Sequence, residues 1–253
     1  MPSAIWYPLQ LDKIIHETEF TRRFIFRIES DSLFEYEAGQ FLTCDLPIGE
    51  KRAQRWRSYS IANWNPGNHE IEFCISYKEG GPASEYFFKN ISIGDQFKCK
   101  GPEGTFIFPD QTSQNLILIC TGTGLAPFRA MIQKIIEQKI TFDSIQLIYG
   151  TRTLEDIIYK SELLQWPQDV LNFSTHICLS RESKLVEFIS PSVFIHSGYV
   201  HPVYKTLLQN NTIDSTKSTF LICGWSAMID EAVLNLFSEF KVPREHIRFE
   251  LYG

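Results

Sequence analysis

The densest chemical signal in the chain is CTGTGLAPFRA at residues 120–130. Gly122 and Gly124 allow a backbone to come close to a ligand, and they stand between an apolar run and a helical one. The first turn of that helix, where Pro127 is well tolerated, offers free N–H groups and a positive dipole end to a phosphate. The third glycine of the common dinucleotide fingerprint is absent, with Pro127 in its place, and a ligand-free β–α turn is the plain alternative. RSYS at 57–60 offers three more chemistries: Arg57 is a forked phosphate donor, Tyr59 a flat stacking ring, and Ser60 a hydroxyl for a heteroaromatic edge. Alternation sends Arg57 and Tyr59 to one strand face and Ser58 and Ser60 to the other. A bulge or a strand end is therefore needed if all are to meet one ligand; an ordinary strand is the alternative. GGPAS at 80–84 reads as a second phosphate cradle, with Ser84 and helix N–H groups as donors, or simply as a turn.

Two kinds of element must position these residues. Up to about residue 112 the chain is strand-like: 20–29, 40–46, 57–63, 70–78 and 96–101 are rich in β-branched and aromatic residues, with turn signals between them. In 70–78, Ile71, Phe73, Ile75 and Tyr77 alternate with more polar neighbours, the period of a half-buried strand. A short helix is expected over 82–89. Such spacing predicts an antiparallel barrel or sandwich. Beyond 113 the pattern changes to strands at 116–120, 145–149, 174–179, 219–223 and 246–251, with helices at 126–138, 154–165, about 202–209 and 227–240. Thr153 and Ser226 read as helix N-caps. This predicts a five-stranded parallel α/β sheet binding ligand at its switch point. The expected domains are 1–112 and 113–253, joined through the polar stretch 109–114.

Composition narrows the function. With 43% hydrophobic residues in 253, the chain can bury a full core. A formal charge of −6 argues against nucleic acid, and neither half is basic: 12 basic against 16 acidic residues in 1–112, and 12 against 14 in 113–253. The basic stretch KRAQRWR at 51–57 is the local exception, either a solvated hairpin or a dock for an anion or an acidic protein. No run reaches membrane-span length and no leader pattern opens the chain, so a cytoplasmic protein is expected. The scattered Cys44, Cys74, Cys99, Cys120, Cys178 and Cys223 show no zinc or iron–sulfur spacing and read as small buried hydrophobes. The histidines show no metal spacing either, so no metal site is expected.

Six segments in order carry a resemblance covering nearly the whole chain: RSYS (57–60), GGPAS (80–84), GPEGTF (101–106), GTGLAPFR (122–129), CGWSAM (223–228) and ELYG (250–253). The set resembles the ferredoxin–NADP reductase superfamily, whose members pair an FAD-binding antiparallel β-barrel of six strands with a nicotinamide-nucleotide-binding α/β domain, the flavin lying in the cleft between. The resemblance implies that Arg57, with Ser58 beside it, binds the FAD pyrophosphate, that Tyr59 stacks on the isoalloxazine and that Ser60 hydrogen-bonds near flavin N5. Ile75 and Tyr77 line the flavin and ribityl chain, and Gly81 and Ser84 complete the pyrophosphate site. Thr121, Gly122, Thr123 and Gly124 cradle the nucleotide pyrophosphate; Cys223, Gly224 and Met228 flank the nicotinamide. Glu250 and Tyr252 match the C-terminal Glu-x-aromatic pattern, although the chain runs on to Gly253. Ser60, Cys223 and Glu250 are the implied catalytic set.

The 2′-phosphate decides between NADP and NAD, and LSRE at 179–182 is the segment that could meet it, a solvated turn being the plain alternative. Ser180 and Arg181 can bond and neutralise a 2′-phosphate, with Arg152 assisting, and the family places a similar Ser-Arg-Glu there, so NADPH is expected over NADH. The implied activity is hydride transfer from NADPH to FAD and then single electrons to ferredoxin or flavodoxin, by a monomer. The basic stretch at 51–57 with Arg22 and Arg23 would dock that acidic carrier. The rivals are an oxygenase reductase component, a flavin or ferric reductase, a nucleotide-sensing or scaffold flavoprotein without turnover, and a plain nicotinamide dehydrogenase, which the altered glycine pattern disfavours.

Overall fold

The structure, a computed structural model, describes residues 5–30, 33–109, 114–182 and 191–252. It divides into two compact units, one of 1–108 with 126–134, the other of 109–125 with 135–253. The expected boundary at 112/113 lies outside the described residues.

The first unit is a six-stranded antiparallel sheet of β1 (Trp6–His16), β2 (Thr21–Ile28), β3 (Phe41–Asp45), β4 (Trp56–Ser60), β5 (Glu70–Ser76) and β6 (Gln96–Glu103), in the order β4-β3-β6-β1-β2-β5. Just past β4, the Ala62 N–H donates to the Glu72 carbonyl of β5 at 2.9 Å, joining the two ends of that order into a barrel. A four-residue helix α1 (Arg52–Arg55) leads into β4. The expected helix at 82–89 is a short α2 (Pro82–Glu85) running into a π-helical turn, Tyr86–Asn90. That turn drives the buried Phe87 among Phe24, Phe26 and Phe97 at 5.1–6.4 Å, fixing the GGPAS loop to the barrel core.

Strand β5 departs from the half-buried expectation. Glu72 and Cys74 are buried along with Ile71, Phe73 and Ile75. The buried Glu72 carboxylate is tolerated because Arg23 grips it with two bonds of 2.7 and 2.9 Å and Arg129 stands 3.3 Å away.

The second unit is a six-stranded parallel sheet, one strand more than expected: β7 (Asn115–Thr121), β8 (Ser144–Thr151), β9 (Phe173–Leu179), β10 (Val193–Ser197), β11 (Ser218–Gly224) and β12 (Ile247–Leu251), ordered β10-β9-β8-β7-β11-β12. The order reverses between β7 and β11, so the switch point lies at their carboxyl ends. The helices are α3 (Leu125–Gln138), α4 (Lys160–Asp169), α5 (Val200–Gln209) and α6 (Ser226–Leu234), the last continuing as a π-helical turn, Asn235–Glu239. Two expected caps are displaced. Thr153 makes a turn instead, its hydroxyl on the Asp156 carboxylate at 2.9 Å, and α4 begins after Tyr159. Ser226 is the first helical residue, with Trp225 at the cap position.

Candidate functional site at the switch point and on the barrel

At the switch point, β7 ends in Thr121 and the chain makes one tight turn, Gly122–Gly124, before α3. Gly122 has φ +53° and its Cβ direction faces open space, as a phosphate cradle requires. Gly124 is there for a different reason: a Cβ would lie 2.4 Å from the Cys223 carbonyl oxygen, so only glycine lets α3 start against β11. Gly224 has φ +151° and a Cβ there would meet Thr121 Oγ1 at 2.4 Å and Met228 Cε at 2.9 Å. Thr121, Gly124, Cys223, Gly224 and Met228 are thus brought together. Thr121 Oγ1 is buried without a hydrogen-bond partner among the described residues. An orphaned hydroxyl beside an open glycine is what a nucleotide's pyrophosphate would complete.

Strand β12 sets Glu250 directly beside Cys223, and the Tyr252 N–H donates to the Gly224 carbonyl at 2.8 Å. Burial pushes the Cys223 thiol far above its ordinary range; the Glu250 charge and neighbouring Cys120 add to this, while a hydrogen bond with Tyr252 opposes it. Cys223 is therefore a neutral, polarizable thiol rather than a nucleophilic thiolate. Gly253 lies outside the described residues.

The next rim loops are stitched to one another. The Ser180 N–H donates to the Thr151 carbonyl at 3.0 Å and the Arg181 N–H to the Arg152 carbonyl at 2.8 Å. Arg152 and Arg181 are both exposed, so two guanidinium groups lie on adjacent loops with their backbones fixed.

On the barrel, β4 pairs with β3 in unbroken register from Trp56 to Ser60, so there is no bulge; Ser60 is the strand's last residue. The Tyr59 ring packs on Phe73 and Phe87, each at 5.4 Å, and burial raises its phenol far above the ordinary range. Ser60 is 6% exposed, whereas Ser58 is exposed with its hydroxyl 3.3 Å from that of Thr43. The Arg57 guanidinium donates to the Ala53 and Trp56 carbonyls at 3.1 and 2.6 Å, pre-extended beside α1. Ile75 is buried in β5 and Tyr77 follows it, its hydroxyl on Glu85. In the second cradle, Gly80 has φ +69° with open space at its Cβ, which suits a pyrophosphate. The Ser84 hydroxyl turns inward, donating to the Lys78 and Gly81 carbonyls at 2.8 and 3.0 Å. Gly81 caps α2 behind it.

The two further residues expected at the dock are held differently. Arg23 is held by Glu72 and Glu17, and Arg22 donates to the Phe88 carbonyl and lies over that ring at 4.4 Å. The sequence reading also passed over Arg129, Gln133, Asn63 and Glu72. Arg129 closes the GTGLAPFR segment, and Glu72 is a charge inside an apolar strand; both were visible signals.

Residues 8–108 match the model of the oxidoreductase FAD-binding domain, and residues 118–233 that of the oxidoreductase NAD-binding domain. The chain belongs to the ferredoxin–NADP reductase superfamily. It is an FAD-dependent oxidoreductase that works with a pyridine nucleotide and passes electrons to a partner. It is 29% identical over 238 residues, 92% of each chain, to ferredoxin–NADP reductase B of Sorangium cellulosum (strain So ce56). It is 28% identical over 218 residues to the anthranilate 1,2-dioxygenase electron transfer component of Acinetobacter baylyi, of which it spans 58% against 86% of itself. In fold it is similar to a Neisseria gonorrhoeae ferredoxin NADP+ reductase solved with FAD and NADP, with TM-score 0.76, 22% identity and 98% and 99% coverage. An Amycolatopsis cytochrome P450 reductase gives TM-score 0.80 at 20% identity, over 98% of this chain and 69% of the other. Among the described residues no helix is long and apolar enough to cross a membrane.

Proposed function

We propose that the chain is a ferredoxin– or flavodoxin–NADP reductase acting as a monomer. The observation that carries this reading is the switch-point cluster, where the open Gly122, the orphaned Thr121 hydroxyl and the Cys223–Glu250 pair lie at the carboxyl ends of β7, β11 and β12. Bound FAD supplies the bridge between two-electron and one-electron chemistry.

The chain's own residues have the following roles. Arg57 would hold the FAD pyrophosphate, its planar fork able to give paired bonds to phosphate oxygens in place of its carbonyl partners. Ser58 flanks it. Gly81 and the first turn of α2 complete that site, while Ser84 fixes the loop. Tyr59 stacks on the isoalloxazine, Ile75 and Tyr77 line the flavin and ribityl chain, and Ser60 directs its hydroxyl near N5. Thr121, Gly122, Thr123 and Gly124 hold the nucleotide pyrophosphate. Cys223, Gly224 and Met228 flank the nicotinamide, where a neutral thiol adds polarizability without charge. Glu250 sits beside Cys223 as the carboxylate of the set, and Tyr252 would be its aromatic member. Arg181 and Ser180, with Arg152, bind a 2′-phosphate, which favours NADPH. The exposed Lys51 and Arg52, the latter 3.6 Å over the Trp56 ring, form the dock for an acidic carrier; Arg55 is neutralised by Asp45 at 2.9 Å.

The second reading is an oxygenase reductase component, favoured by the likeness to the anthranilate dioxygenase component, and it differs only in the acceptor. Anaerobic stopped-flow with NADPH and NADH, followed by addition of ferredoxin or flavodoxin, tests both. Rapid bleaching of the flavin band by NADPH and reoxidation by the carrier is expected. Bound flavin that neither nucleotide bleaches would refute the enzyme reading and favour a sensor or scaffold.

A further inference from the structure

The chain immediately after Ser60 is held in an unusual way. Residues 61–65 leave the strand, yet their backbone groups are gripped one by one. The Ile61 N–H donates to the Gln40 carbonyl and the Ala62 N–H to the Glu72 carbonyl, each at 2.9 Å. The Ala62 carbonyl accepts from Arg129 at 2.8 Å, and the Asn63 carbonyl from the Tyr36 hydroxyl at 3.0 Å. The Trp64 N–H donates to Gln133 Oε1 at 2.7 Å, and the Asn65 N–H to the Tyr36 hydroxyl at 2.8 Å. Arg129 and Gln133 are four residues apart on α3, so one helix face grips the backbone at two points. Both contacts lie within the barrel unit, which includes 126–134.

This arrangement has a cost that simple packing would avoid. Arg129 is 7% exposed, and burying a guanidinium is unfavourable unless it is paired. Here it is paired, with Glu72 at 3.3 Å, and Glu72 is itself fixed by Arg23 and, through its N–H, by Asn63 Oδ1 at 2.8 Å. Apolar side chains at 129 and 133 would fill the same space, but they would leave the Ala62 carbonyl and Trp64 N–H without those partners. The polar grip fixes the backbone in position and register where packing alone would let it slide.

We propose that Arg129 and Gln133 are positioning residues: from α3 they anchor residues 62–64 and thereby hold the Ser60 hydroxyl in place for flavin reduction. This rests on the reading of Ser60 as the flavin-facing hydroxyl. Neither side chain touches substrate; each acts through the backbone two to four residues beyond Ser60. Displacing a reacting group by about 1 Å can cost on the order of a hundredfold in rate, so loss of the grip slows chemistry without emptying either cofactor site.

The test is a double-mutant cycle in the FAD-loaded protein, using Arg129→Met, Gln133→Leu, Ser60→Ala and their combinations. Three readouts are taken: single-turnover bleaching at saturating NADPH, visible circular dichroism of the bound flavin, and amide hydrogen exchange over 61–65. Arg129→Met is expected to slow bleaching about tenfold or more, to alter the flavin dichroism and to speed exchange at 62–64, with FAD content unchanged. Gln133→Leu should speed exchange at Trp64 and slow bleaching by a smaller factor. In the Ser60→Ala background either change should slow bleaching by less than about twofold further, because groups acting through one another are not additive. Arg129→Lys, which keeps the charge beside Glu72, serves if Arg129→Met does not fold, and should show the same signs in milder form. A slow Ser60→Ala protein in which Arg129→Met or Arg129→Lys multiplies the loss in full overturns the proposal alone, as does full-speed bleaching despite faster exchange. A Ser60→Ala protein that bleaches at the wild-type rate refutes the reading of Ser60 and the proposal with it.

Discussion

Gly122 and Gly124 sit two residues apart in one turn, yet they should respond to alanine in opposite ways. At Gly122 the added methyl meets nothing within 4 Å. Its only folding cost is the left-handed φ of +53°, about 1–2 kcal/mol for a residue with a Cβ, or a melting shift of roughly 2–4 °C per kcal/mol in a chain this long. The methyl does, however, project where the cradle must approach phosphate. Nucleotide affinity should fall at least about tenfold, equivalent to about 1.4 kcal/mol. At Gly124 the φ is ordinary, but the methyl lies 2.4 Å from the Cys223 oxygen and 2.8 Å from its carbonyl carbon, where 3.4 Å or more is normal contact. Backbone on both sides must separate by about 1 Å, an overpacking cost of about 1–3 kcal/mol. Because the strand that moves carries Cys223, flavin bleaching should slow as well. Titration calorimetry with NADP+, urea unfolding and single-turnover bleaching measure the three effects. Gly122→Ala binding nucleotide with wild-type affinity would refute the cradle, and a stable, fast Gly124→Ala would refute the close packing of α3 on β11.

Arg57→Ala should lower FAD retained through purification, read from the ratio of flavin to protein absorbance; an unchanged ratio removes Arg57 from the pyrophosphate site. Arg181→Ala should raise the Michaelis constant for NADPH and leave that for NADH nearly unaltered, and equal effects would sink the 2′-phosphate assignment. Cys223→Ala should slow single-turnover bleaching more than it weakens NADPH binding; an unchanged rate makes the thiol structural. His176 gives a pH effect. Burial, and then the neighbouring His196, push its pKa from 6.5 down to about 4. The fold holds it neutral while the unfolded chain protonates it, so its stabilisation is complete above about pH 6.5 and is lost as pH falls toward 4, up to about 3 kcal/mol in all. Urea midpoints measured across that window should slope with pH, and His176→Asn should flatten the slope; parallel slopes would refute this account.

The residues most legible in the sequence were those whose chemistry is local. A glycine that must reach a positive φ, or a proline opening a helix, signals its role from its own neighbourhood, so the turns at 80–84 and 122–124 could be found without coordinates. Elements defined by distant partners were harder. Strand β1 contains Pro8 and mixes polar with apolar residues; it becomes a strand because β2 and β6 pair along it. Strand β10 has only five residues and, among the described strands, pairs with β9 alone. Thr153 and Asp156 have the spacing of a helix cap, yet the hydroxyl satisfies the carboxylate rather than a backbone N–H. Glu72 looked like the polar half of an alternation because Arg129, 57 residues downstream, cannot be seen from strand period alone.

All six cysteines are buried thiols, and they are divided evenly: Cys44, Cys74 and Cys99 fall in the barrel unit, Cys120, Cys178 and Cys223 in the parallel-sheet unit. Alkylating reagents can reach them only when their own unit opens. Labelling followed by peptide mass analysis therefore times the opening of each half separately within the intact chain, with no introduced probe. Added flavin should slow the clock of the first three, and added nucleotide that of the last three.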